Sequence, residues 1–352
     1  MGAAGAGWTG DAAVAAARRR AIGQFWSWWT EQGAVRTARA IEAGQPQQVV
    51  DDLSARVSAI DDGLAWELGP GWDSSHVLVL SCDGDPRLRP VARRWRMSAP
   101  AADGTWQYSD VRPASPDPEG MVLQIGDVQL DAARASADVR VVGDGVDLVV
   151  HHPGFDQLPE PVRDTATFVL LHAVLGEADV ETWVAGIASS TTAALDAVPL
   201  AGVRSVVDDL RAEHLDPDGN PTWSLLSGQT PDGGAIIASA QVPLRAACAP
   251  HLDTYVAVAV PYADRTDEGL PGPASLGPLR DLEDHVGRLL GDSGRVVAHQ
   301  SHDGVRILHV YVDGTTPAAE QLRVGVSGWD QGPVELDVQP DPGWDAVQHL
   351  RG

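Results

Sequence analysis

The chain contains no lysine, so all 25 of its basic residues are arginine. A lysine Schiff base and the phosphate-gripping lysine of a P-loop are therefore excluded. Cysteine is nearly absent: Cys82 and Cys248 lie far apart and make neither a metal spacing nor a disulfide framework. Such usage is expected of a cytoplasmic protein. No apolar run approaches the roughly 20 residues needed to cross a bilayer. The opening "MGAAGAGWTGDAAVAAARRR" places its arginines after the apolar stretch, the wrong order for a secretory signal, and Ala6 fails the myristoylation pattern. Positive charge is scarce against 49 acidic residues, and the net charge is −24. A chain this acidic is repelled by phosphate backbones and anionic lipid, which argues against nucleic-acid and membrane partners and for a basic protein partner. Also missing are a G-x-S-x-G elbow, an H-E-x-x-H helix, a Walker A loop and a dinucleotide fingerprint. No catalytic residue, metal ligand or cofactor is expected on motif grounds.

What is present suits a folded α+β protein. The 352 residues are 43% hydrophobic and 21% charged, enough to bury a sizeable core in two domains. The proline-rich "LDPDGNPT" (Leu215–Thr222) follows a helical pattern and precedes a strand-like one. It sets the expected boundary between an N-terminal α+β domain, residues 1–214, and a C-terminal domain, residues 215–352.

In the first half, an Ala-rich helix ends at Gly33, with Ile22, Phe25 and Trp29 at helical spacing. Its arginine-and-tryptophan stretch reads as a core-packing helix. "DVRVVGDGVDLVVHH" is a hairpin, and "PVRDTATFVLLHAVLGEADVETWVAGIA" is helical by periodicity. From Asp253 the pattern runs β-α-β-β-α-β, the order of a ferredoxin-like split-βαβ sandwich with an antiparallel sheet.

The candidate site residues lie in "VVAHQSHDGVRILHVYVD" (Val296–Asp313). If Ser301–Gly304 is a four-residue loop, His299 faces Arg306, and His309 shares the opposite face with Tyr311. The hairpin histidines then cannot converge on one ion, and no metal is expected. His299, His302, Arg306 and His309 remain candidates for a binding surface. In "LEDH", Glu283, Asp284 and His285 offer acid–base groups in one helical turn, most simply read as a wet helix face. "HLDPDGNPT" spaces Asp216, Asp218 and Asn220 like a calcium loop, but Pro221 and Ser227 break the pattern, so it reads as a turn.

The ordered set "DEGLP" (Asp267–Pro271), "DLEDHV", the hairpin and "DPGW" (Asp341–Trp344) resembles the bacterial domain-of-unknown-function family 695 over roughly residues 222–350. "FWSWW", "SAP" (Ser98–Pro100) and "VLGEADV" (Val174–Val180) are similar to segments of the same uncharacterised group. The resemblance implies no reaction. Domains of this kind occur beside one resembling the ribonuclease E inhibitor protein B, an acidic protein-binding inhibitor. The expectation is an acidic cytoplasmic protein-binding regulator or immunity-type inhibitor. The alternatives are a hydrolase with a site at the domain interface and a structural module of a defence or secretion assembly.

Overall fold

The computed structural model describes residues 5–351, so part of the N-terminal pattern discussed above, residues 1–4, lies outside the described residues. By contacts the chain divides into two compact units, Met1–Arg112 with Asp313–Pro317, and Pro113–Val312 with Ala318–Gly352. No described helix is long and apolar enough to cross a membrane. The architecture mixes helices with several sheets, as expected for α+β.

The first unit holds α1 (Gly5–Trp28), a π turn (Trp29–Gly33), α2 (Ala34–Glu42), α3 (Gln47–Ser58), β1 (Ala65–Pro70), β2 (His76–Ser81), α4 (Arg89–Met97) and β3 (Trp106–Ser109). Its core is aromatic. Phe25, Trp26, Trp28 and Trp29 meet Trp95, Trp106 and Tyr108, with ring centroids as close as 4.6 Å. Aromatic pairs of this kind each add about 0.5–1.5 kcal/mol beyond area burial. The polar tips of the rings are used: Trp26 Nε1 donates to Trp95 O (2.8 Å) and Trp29 Nε1 to Tyr108 Oη (2.9 Å). Gly33 does not end the helix. It has helical dihedrals (φ −61°, ψ −48°), and a Cβ there would lie 2.9 Å from the Trp28 ring. Glycine is required by close packing rather than by a left-handed cap.

The second unit begins with β4 (Val122–Ile125), β5 (Val128–Asp131), β6 (Ser136–Val142), β7 (Gly145–His151), α5 (Glu160–Leu175), α6 (Glu177–Trp183), β8 (Val184–Ser190), β9 (Val198–Pro199) and α7 (Val203–His214). The expected helix through Ala188 stops at Trp183, because Val184–Ser190 pairs in parallel with β7. Asp216 accepts from the backbone amides of Asp218 and Asn220, which makes the proline-rich stretch a turn.

The unit continues with β10 (Thr222–Gln229), β11 (Ala235–Val242), β12 (Thr254–Pro261), α8 (Pro273–Leu290), β13 (Gly294–His302), β14 (Val305–Val312), α9 (Ala318–Val326), β15 (Glu335–Pro340) and a 3-10 turn (Asp345–Leu350). These strands form one six-stranded sheet in the order β10-β11-β13-β14-β12-β15, antiparallel throughout. Alternate residues of β12 and β14 face opposite ways. Val256, Val258, Val260, Leu308, Val310 and Val312 pack against Leu279, Val286, Leu290, Leu322 and Val326 of the two helices. Tyr255, Tyr311 and Ala298 face the other way, onto Leu252, Trp344, Val347 and Leu350.

Candidate functional site

The hairpin β13–β14 turns on two residues rather than four. His302 pairs with Val305, and the turn is Asp303–Gly304 with φ of +44° and +78°. Positive φ at both central positions is the type I′ geometry, and Asp-Gly is one of its favoured sequences. The register is therefore two residues off the expected one: His299 pairs with Leu308 and Ser301 with Arg306. A slip of two preserves parity. His299 and Arg306 still face α8, and His309 and Tyr311 face the other side.

The three other motifs of the set all brace this hairpin. Gly269 of "DEGLP" has φ +77°, and its carbonyl accepts from Gly304 N (2.8 Å) and Tyr262 Oη (2.6 Å). A Cβ at Gly269 would lie 3.0 Å from Asp303 Cα, so glycine is needed there. Asp341 of "DPGW" accepts from Tyr311 Oη (2.6 Å) and from the amides of Asp345 and Ala346, which fastens the 3-10 turn to the sheet. Trp344 is fully buried, stacks on Tyr311 at 4.3 Å and donates to Leu252 O.

Glu283 of "DLEDHV" reaches from α8 onto the sheet. Arg306 Nη1 donates to its Oε1 (2.7 Å), and His299 Nδ1 lies 3.4 Å from its Oε2. Arg306 Nε donates to Ser301 Oγ (2.9 Å). Burial pushes the Glu283 carboxyl up. The hydrogen bond from His299 and the charges of His299 and Arg306 outweigh it and hold the group below its ordinary value. The His299 ring stacks on Trp223. Beside this cluster runs an open groove of about 620 Å³, lined by Trp223, Glu283, Gly287, Arg288 and Val296 among others.

On the other face, His309 is 3% exposed, and its Nδ1 is 2.7 Å from Tyr255 Oη. Burial, with the nearby charges of His349 and His299, lowers His309 to about 4, so the ring is neutral at pH 7. Burial and the charges of Asp337 and Asp341 push Tyr255 up to about 12. His309 Nε2 is buried without a hydrogen-bond partner. An unmet buried polar group of this kind costs about 1–3 kcal/mol.

Of the four candidate residues, His299 and Arg306 meet through Glu283, His309 stands apart on the opposite face, and half-buried His302 occupies the last rung before the turn. Arg306 and His309 are buried. Glu283 was visible in the sequence only as part of a helical carboxylate cluster; its long-range partners leave no local signal. Cys248, pushed up to about 11 by burial, is held as a thiol and is a poor nucleophile.

Comparisons with curated proteins and with solved structures give no match. The C-terminal part of the chain, residues 222–350, matches the family model DUF695, described as a family of unknown function.

Proposed function

We propose that the C-terminal module, residues 215–352, is a protein-binding unit, and that the chain acts as a regulator or immunity-type inhibitor of a basic partner. In this reading β12–β15 with α8 and α9 form a ferredoxin-like core, and the β10–β11 hairpin extends its sheet. The strand order β13-β14-β12-β15 supports that description.

One observation carries the proposal. The edge strand β10, "TWSLLSGQ", contains no charged residue and no proline, in a chain of net charge −24. Leu225 is 75% exposed and Trp223 48%. A free edge offers a row of unpaired backbone N–H and C=O groups, which proteins ordinarily blunt with charge, proline or a bulge. Left unblunted, such an edge suits strand addition by an extended segment, with side-chain pockets setting specificity. Trp223 and Leu225 alternate with Leu226, so they share the α8 side of the sheet, and Trp223 borders the groove. The net charge of −24 favours encounter with a cationic segment.

The test is affinity capture from native lysate with the full chain at low and high salt, in parallel with Leu225→Arg. A partner is expected at low salt, weakened at high salt and lost with Leu225→Arg. Recovery of the same proteins by wild type and variant would defeat the proposal.

A further inference from the structure

The hairpin histidines do not converge on one another, but His309 meets a histidine from the chain's far end. His349, in the 3-10 turn Asp345–Leu350, presents its ring to His309 with centroids 5.9 Å apart and planes at 66°. Its Nε2 lies 3.4 Å from Gln300 Oε1. Gln300 pairs with Ile307, and Ala298 pairs with His309, so Gln300 is the diagonal neighbour of His309 on the same face. Two imidazoles and an amide oxygen are therefore neighbours on one face of the sheet, and the buried Nε2 of His309 has no hydrogen-bond partner among them.

The geometry fits an ion. Zinc–nitrogen bonds of about 2.0–2.1 Å to two imidazoles in near-tetrahedral array place the ring centroids roughly 5–6 Å apart. The outer partner is also in place. A ligating histidine gives its second ring N–H to an oxygen, and Tyr255 Oη stands 2.7 Å from His309 Nδ1. His349 is exposed, which leaves a path from solvent.

We infer that His309 and His349, with Gln300 as a third donor, bind one divalent transition-metal ion of the zinc class. Imidazole nitrogen selects such ions over magnesium and calcium, which seek all-oxygen shells. The ion would tie the C-terminal turn to the middle of the sheet, on the face opposite Glu283. This site is independent of the edge-strand proposal.

The experiment uses the full chain made without a polyhistidine tag, stripped with chelator and titrated with Zn²⁺ alone against a chromophoric competitor. One equivalent is expected to bind. His349→Ala, at an exposed position, should weaken binding by at least about tenfold, and Gln300→Ala by less. His299→Ala, on the opposite face, should leave it unchanged. With Cu²⁺ as the probe, nitrogen couplings in the paramagnetic resonance spectrum should fall from two imidazoles to one in His349→Ala. Absence of stoichiometric uptake would overturn the assignment, as would uptake insensitive to His349→Ala or lost equally with His299→Ala. His309→Gln, checked for native circular dichroism, should abolish uptake; retention by a folded variant counts against the site.

Discussion

His299 and His309 sit ten residues apart on one hairpin and live in opposite circumstances. His299 is half-buried, with a carboxylate at 3.4 Å and a tryptophan ring stacked on it. His309 is enclosed, bonded through one nitrogen to a phenol, and unmatched at the other. Residue type and hairpin are the same; the face of the sheet decides. On one face α8 delivers an acid to the strands. On the other, the covering turn delivers a second imidazole.

The contrast predicts unequal sensitivities. The largest belongs to Glu283, whose loss strands Arg306 as a buried, unpaired cation. Glu283→Ala should destabilise the fold by about 3–5 kcal/mol in urea unfolding. The double change Glu283→Leu with Arg306→Met should recover most of that loss. A double variant as unstable as the single one would show that the pair does more than satisfy itself.

Next in size is the acid response of metal-free protein. His309 titrates at its ordinary 6.5 when unfolded and at about 4 when folded. Between those values the unfolded chain takes up a proton that the folded chain refuses, so stability falls as pH falls through the window. The loss should approach about 3 kcal/mol. Glu283 acts in the same direction at lower pH: its contribution is present above 4.5 and disappears as pH drops through its depressed folded value. Unfolding free energies from pH 7 to 4 should therefore slope downward in wild type and flatten in His309→Gln. Equal slopes in both would place the acid sensitivity elsewhere.

The smallest effect is expected at His299. Its pair with Glu283 is long and its side chain is 22% exposed, so His299→Gln should change stability by no more than about 1 kcal/mol. A larger loss would erase the distinction between the two faces.

The sequence was most legible where neighbours in the chain are neighbours in space. The order β-α-β-β-α-β from Asp253, both hairpins and the burial of the Phe25–Trp29 helix face follow from local periodicity. Strand parity puts His299 and His309 on opposite faces in the expected register and in the observed one, which differ by two residues. Asp303–Gly304 makes a two-residue turn, which carries the pairing two residues past that of a four-residue loop. Three features were hidden because distant segments create them. Val184–Ser190 becomes a strand only beside β7. The hairpin β10–β11 joins the sheet only through β13, some 60 residues on. His349 reaches His309 only because Asp341 and Trp344 fasten the turn that carries it.

The irregularity at Val297 has a wider consequence. Ladder pairing passes from Ala298–His309 directly to Val296–Val310, so Val297 is an extra residue. It acts as a phase shifter. Beyond it the two faces exchange relative to strict alternation: Val296 joins the helix-side core, and Arg295 rotates to the side of Tyr311. The run "RVVAH" thus encodes two half-strands written in opposite phase and spliced at one valine. A deletion of Val297 would keep every pairing partner while removing the bend, whereas an added residue beside it would invert the faces of everything toward Gly294.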